Sequence, residues 1–366
     1  MKPNHKLNRR QLLAAASGVT VATIVPRHVL GQGQTPPSET LNVASVGIGG
    51  MGSRDAREVS KEANVVAICD VDRRALERNA QHHPKAKHYT DYREMLEAEK
   101  NIDAVTVATP DHNHALVTMA AIKRGKHVFC QKPLTHSAYE ARMIGQAAKE
   151  AGVATQMGNQ GQASESARLI CELIWAGSVG TVREVHAGSN RFPPISPRGV
   201  ARPQDTPPLP PELAWDLWLG PSPVRPYHPT YHPFSWRGWW DFGTGVLGDI
   251  GCHQLSAVFK ALKLGHPTKV EASSSNHQCP PEIANETAPV SSITRWEFPA
   301  EDQREAVSVT WWDGGLKPPR PDELELGRSF ADGDWLMIVG DVGKMLGHRL
   351  IPDVKAVEFG KPEEVL

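Results

Sequence analysis

The sequence predicts an α/β chain in two parts: a parallel sheet covered by helices on both faces, then an α+β domain with a mostly antiparallel, open sheet. Three observations carry this. Residues 41 to about 160 alternate short apolar runs with amphipathic stretches. A glycine-rich turn separates the first run from the first amphipathic stretch. Beyond Ser164 the composition changes: all ten tryptophans lie at or after Trp175, and thirteen prolines fall between Pro193 and Pro233.

In order, Leu41–Val46, Val65–Cys69, Ala104–Ala108, His127–Cys130 and Val153–Met157 read as strands buried on both faces. The segments Ser53–Lys61, Asp91–Glu99, Ala115–Arg124 and Ala138–Glu150 between them read as helices. Gly125 and Gly152 follow two of these as closing glycines, where a left-handed residue ends a helix. The proline-rich stretch must be loop or turn, since proline offers no N–H to a ladder. A helix is predicted over Gly248–Leu264, then strands over Lys269–Ser275, Ser291–Phe298, Ala306–Trp312 and Trp335–Val339. Strand after strand with few helices is the pattern of an antiparallel α+β unit. The domains fall at 40–163 and 164–366.

The bulk properties exclude several functions. Of 366 residues, 40 are Lys or Arg and 41 Asp or Glu, a net charge of −1, without the basic excess of a nucleic-acid or anionic-membrane binder. With 40% hydrophobic and 22% charged residues the chain folds. Five scattered cysteines make no disulfide framework, and without a CxxC pair there is no thiolate zinc site. At the N-terminus Lys2, Lys6, Arg9 and Arg10 precede an apolar run, Leu12–Val25, too short to span a bilayer. Arg9-Arg10-Gln11-Leu12-Leu13 resembles a twin-arginine export signal. Residues 1–33 are therefore set aside as an address to the periplasm, leaving no membrane span in the mature chain. No A-x-A precedes Gln32 or Gln34 to define the cleavage site.

Gly47-Ile48-Gly49-Gly50-Met51-Gly52 fits G-x-G-x-x-G after a strand and at the opening of a helix, and Asp70 ends the next strand. That context defines a Rossmann dinucleotide-binding unit. The first glycine permits the tight turn, the second lets the backbone approach a pyrophosphate, and the third lets helix and strand pack. The helix N-terminus then favours the phosphate charge. Asp70 would accept from the adenosine ribose hydroxyls and repel a 2′-phosphate, which points to NAD. Arg73 and Arg74 just beyond keep NADP open.

Three further stretches narrow the reading: Ala108-Thr109-Pro110-Asp111-His112-Asn113-His114, Gly125-Lys126-His127-Val128-Phe129-Cys130-Gln131-Lys132-Pro133, and Gly245-Val246-Leu247-Gly248-Asp249-Ile250-Gly251-Cys252-His253. With the fingerprint they resemble the Gfo/Idh/MocA family of glucose–fructose oxidoreductase and inositol dehydrogenase, over Leu41 to about Ala272. The resemblance implies that Thr109, Pro110 and His114 line the nicotinamide side. It places Lys132 beside the reacting carbon and Asn159 on the same pocket. The family's Glu-Lys-Pro is here Gln131-Lys132-Pro133, so the turn persists while Lys132 loses one charge partner.

Oxidising an alcohol requires a hydride acceptor and a base for the proton. Under the resemblance His253 is the base. Asp249, four residues earlier on the same helix face, holds a neighbouring hydroxyl, and Lys132 polarises the forming carbonyl. Trp236-Arg237-Gly238-Trp239-Trp240 offers apolar faces for a sugar ring, with Arg237 for a hydroxyl or carboxylate; core packing is the other reading. His112-x-His114 and Asp249/His253 lack the further ligands of a metal site, so none is expected.

The function implied is an NAD(P)-dependent oxidoreductase acting on a CH–OH group of a sugar or polyol, with a tightly held cofactor because exported protein meets no soluble NAD pool. Two alternatives stay open: a redox-neutral glycoside hydrolase or lyase passing through a 3-keto sugar, with His186, His228 or His232 as extra base, and a non-catalytic dinucleotide-binding protein. The resemblance also implies a longer second domain than a chain ending at Leu366 holds, and association of like chains through the open sheet, hence a homo-oligomer.

Overall fold

A computed structural model describes residues 39–191, 197–302 and 304–366; the expected export signal lies outside them. Six strands form the first sheet: β1 (Asn42–Val46), β2 (Asn64–Cys69), β3 (Lys87–Tyr89), β4 (Ala104–Val107), β5 (His127–Gln131) and β6 (Thr155–Gly158). All pair in parallel in the order β3-β2-β1-β4-β5-β6. The order reverses between β1 and β4, and such a switch point opens a crevice at the strands' carboxyl ends. Val46 and Val107 pair there, so the glycine turn and Thr109 leave the sheet side by side.

Local chemistry sets the helices around this sheet. α1 (Gly50–Val59) starts at the fingerprint. α2 (Arg73–Ala80) and α3 (Tyr92–Ala98) start at Asp72 and Asp91, whose carboxylates accept from the N–H of Arg74 and Arg93. α4 (Asp111–Ile122) follows Pro110. α5 (Ala138–Ala151) carries a capping box between Ser137 and Glu140 and ends at Gly152 with φ 65°. Ala44, Val105, Val107 and Val128 bury against Val117, Ala121 and Ile144 of α4 and α5.

α6 (Glu165–Trp175) leads into a seven-stranded sheet of β7 (Val182–Ser189), β8 (Lys269–Ser274), β9 (Ser292–Phe298), β10 (Val307–Asp313), β11 (Asp334–Gly340), β12 (Lys344–Leu346) and β13 (Arg349–Ile351). The order is β13-β12-β11-β7-β10-β9-β8; only β7 and β10 run parallel. α6 and a later helix, α7 (Cys252–Leu262), pack on one face over Val185, Val309, Trp311 and Ile338. The opposite face carries His186, Trp312 and Met337. Edge strand β8 is exposed along its length.

Three predictions of local structure are corrected. The helix expected over Gly248–Leu264 opens with a π turn, Leu247–Gly251, before its α part. β3, α2, α6, β7, β12 and β13 were absent from the sequence reading: β3, β12 and β13 have three residues each, and α2 is short, with only Ala75, Leu76 and Asn79 on its buried face. The proline-rich stretch is only partly free loop. Its Leu213 pairs with Asp72, Ala214 N–H donates to Val71 O at 2.9 Å, and Arg73 N–H donates to Glu212 O at 3.0 Å. This strap ties the second domain to the end of β2.

Candidate functional site

The two domains meet over a cavity of about 780 Å³ running from Asp72 and Arg78 past the glycine turn to Lys132, Asp249 and His253. Gly47, with φ +78°, makes the tight turn. A Cβ at Gly52 would come within 1.7 Å of Gly47 O, so the third glycine is required for packing. A Cβ at Gly50, which lines the cavity, would meet nothing within 4 Å. Asp70 accepts from Ile48 N–H at 2.8 Å, Gly49 N–H at 3.2 Å and Asp72 N–H at 2.9 Å. Burial raises its carboxyl to about 6 against these donors. Arg74 is spent on Asp72 through Nε and Nη2, both 2.8 Å, and Arg73 on Pro211 O at 3.1 Å.

At the far end, Lys132 Nζ donates to Asp249 O at 2.8 Å and to the Asp249 carboxylate. Arg237 Nε lies 3.6 Å from the same carboxylate oxygen. His253 Nδ1 lies 2.6 Å from Asn159 Oδ1, while Asn159 Nδ2 donates to Cys252 O at 2.8 Å. The second bond fixes which way the amide faces. Oδ1 must therefore accept, His253 carries its proton on Nδ1, and Nε2 is left basic. Burial holds the His253 pKa below its usual value, and Lys132 adds to the effect. Asp249 and His253 thus engage different partners rather than each other.

Behind this end, the α4 start is sealed by the second domain. Asp111 is buried, accepts from Thr244 Oγ1 at 2.8 Å, and is pushed up to about 7 by burial. His112 meets Phe242 O and Trp218 O at 3.2 and 2.8 Å. His114 sits between Pro133 O and Thr109 O, both 2.7 Å away; burial keeps the ring neutral, so its single N–H donates to one of the two turns while the ring packs between them. Gln131 points away from Lys132 and donates to Asp55 Oδ2 at 2.7 Å. The expected loss of a charge partner at Lys132 is therefore corrected: position 131 serves Asp55, and the lysine's carboxylate partner is Asp249.

Among the residues singled out from sequence, Gly47, Gly49, Gly50, Met51, Asp70, Thr109, Pro110, His114, Gln131, Lys132, Trp236, Arg237, Asp249 and His253 line this cavity. Gly52 packs beneath the turn and Asn159 stands behind His253. Trp239 is core, Trp240 lies outside the cavity, and the Trp236 ring carries the Arg237 guanidinium at 4.3 Å. His186 is on the outer sheet, bonded to Glu184; His228 pairs with Asp205; His232 lines the cavity beside Asp72. None of the three bonds to Lys132, Asp249 or His253 in the described residues. Asp111, Asp55 and Arg191 were missed. The Gln131 departure was the available signal for Asp55, since an amide replacing a carboxylate suggests an acid opposite. Among the described residues no three His, Cys, Asp or Glu side chains converge as metal ligands, and no helix is long and apolar enough to cross a membrane.

The glycine cradle, the open space at Gly50, and two buried polar atoms without partners on cavity-lining residues, Thr109 Oγ1 and His232 Nδ1, fit a dinucleotide. The class so defined is a two-domain protein with a dinucleotide-binding cleft. Residues 41–159 match the oxidoreductase family model with the NAD-binding Rossmann fold, and 200–285 match the family's C-terminal alpha/beta domain. The chain belongs to the Gfo/Idh/MocA oxidoreductase family. It is 30% identical to inositol 2-dehydrogenase of Salmonella paratyphi B over 155 residues, 40% of this chain and 45% of that one. It is 25% identical to levoglucosan dehydrogenase of Pseudarthrobacter phenanthrenivorans over 200 residues, 54% of this chain and 40% of that one. The matched stretch thus spans less than half of these relatives. A levoglucosan dehydrogenase solved with NADH superposes with a TM-score of 0.58 at 19% identity, covering 84% of this chain and 73% of that one. An NAD binding oxidoreductase from Klebsiella pneumoniae gives 0.55 at 25% identity, covering 85% and 73%. The likeness at 19% identity is one of fold alone.

Proposed function

We propose that this protein oxidises a CH–OH group of a sugar or polyol with a tightly held NAD. The observation that carries the reading is one continuous cavity with the glycine cradle at one end and Lys132, Asp249 and His253 at the other. NAD, when bound, supplies the two-electron acceptor. His253 takes the hydroxyl proton on Nε2, with Asn159 holding the other ring nitrogen protonated. Lys132 donates to the substrate oxygen and stabilises charge there as the carbonyl forms. Asp249 orients Lys132 and accepts from an adjacent hydroxyl. Residues 47–51 and Asp70 hold the pyrophosphate and ribose. With Arg73 and Arg74 engaged elsewhere, neither guanidinium is offered to a 2′-phosphate, which favours NAD. The basic and apolar N-terminus supports export to the periplasm, and the exposed β8 edge supports a homo-oligomer.

The test is to denature the purified protein without added cofactor, quantify released dinucleotide by mass spectrometry, and follow NADH formation with inositol and hexoses. Near one NAD per chain, together with turnover of a polyol, is expected. Absence of both bound and added-NAD binding refutes the reading.

A further inference from the structure

The reacting end of the cavity carries more positive charge than a neutral sugar needs. Lys132 is matched by Asp249. Arg191, which lines the same cavity, is closed on Asp334 through Nε at 3.1 Å and Nη2 at 2.7 Å. Arg237 is the excess cation. The only carboxylate within 4 Å of it among the described residues is Asp249, already held by Lys132, at 3.6 Å. Nearby Asp111 does not supply the missing charge below neutrality, because burial favours its acid form.

Arg237 is also built to recognise something planar and anionic. Its guanidinium lies 4.3 Å from the Trp236 ring and 4.4 Å from the Phe234 ring, and Nη1 donates to Phe234 O at 2.8 Å. Two aromatic contacts and one backbone bond fix the plane of the fork and leave N–H groups to spare. Arginine held this way binds carboxylates through two parallel hydrogen bonds. A hydroxyl can take a single bond and leaves the charge unmatched in a half-buried site.

Resting on the oxidoreductase reading above, we infer that the substrate is a sugar acid, a uronate or aldonate, whose carboxylate docks on Arg237. Asp249 and His253 then face the hydroxyl-bearing carbons of a ring anchored at its acidic end.

The experiment titrates NADH-loaded protein with D-glucuronate and D-galacturonate, and with D-glucose and D-galactose, by calorimetry. Each acid is expected to bind at least about tenfold tighter than its neutral counterpart, the size of one or two charge-assisted hydrogen bonds. The difference should shrink with added salt and disappear in Arg237→Gln, whose fold is checked by its NADH affinity and its thermal transition. Equal binding of acid and neutral sugar, binding of neither, or a preference that survives Arg237→Gln overturns the inference. NADH formation is followed separately. An acid that binds by Arg237 without being oxidised upholds the carboxylate subsite and refutes the oxidoreductase reading together with the assignment of that acid as substrate. Neutral sugars oxidised without any preference for acids do the reverse.

Discussion

Replacing Asp111 with asparagine should make the protein lose less stability as pH rises. Asp111 opens α4 behind Pro110, and a helix N-terminus favours negative charge by roughly 0.3–1 kcal/mol. Its burial under Thr244 acts the other way and wins, raising the carboxyl from 3.8 to about 7. The folded protein therefore holds this proton where the unfolded chain has released it. The resulting stability is fully present below pH ~4 and is lost as pH rises through about 7. Three pK units correspond to roughly 4 kcal/mol in total, of which about 2–3 kcal/mol disappear between pH 5 and pH 8. The substituted amide keeps an oxygen to accept from Thr244 but cannot ionise. Guanidinium denaturation of wild type and Asp111→Asn at pH 5, 6, 7 and 8 measures the two slopes. Wild type should fall relative to the variant by that amount. Parallel curves would mean that Asp111 ionises as it does in water, and the argument that the second domain seals the α4 start would be wrong.

Three other outcomes are expected. Lys132→Met should lower kcat by roughly 100-fold or more, because a donor aimed at developing charge is lost. It should also raise the acid limb of the kcat/KM profile, since Lys132 helps hold His253 below its usual pKa; an unmoved limb would place the base elsewhere. Gly50→Ala should leave the melting temperature within a few degrees of wild type yet weaken NAD binding in a fluorescence titration. Gly52→Ala, with its Cβ driven into Gly47 O, should unfold the protein or cost more than about 3 kcal/mol; equal effects of the two would refute the cradle geometry. Gln131→Glu should bring a carboxylate against Asp55 and destabilise by roughly 1–3 kcal/mol at pH 8, less at pH 5, where Asp55, its pKa already raised by burial, is more readily neutralised.

Much of the architecture was legible because periodicity and punctuation agree. β1, β2, β4 and β5 are apolar runs within a residue or two of their sequence bounds, and the end of α5 is announced by Gly152. The cavity residues were legible where a motif demands them, as in the glycine turn, at Asp70 and at Lys132. What stayed hidden depends on contacts far apart in sequence. The bonds from Asp111 to Thr244, Gln131 to Asp55 and Asn159 to His253 span 133, 76 and 94 residues. No local pattern encodes them. Trp239 shows the converse limit: a tryptophan beside the site reads alike whether it meets ligand or core, and here it is core.

The strap at Leu213 has a consequence for motion. Two-domain enzymes commonly open by a hinge, which needs one end of the cleft to be free. Here the domains are joined at one end by the Asp72–Leu213 pairing, at the other by Lys132 with Asp249, and between them by the bonds of His112 and Asp111 to the second domain. Swinging the cleft open would break all three groups of contacts together. Small molecules are therefore expected to reach the far end through the cavity mouth with the domains closed, rather than by a clamshell opening.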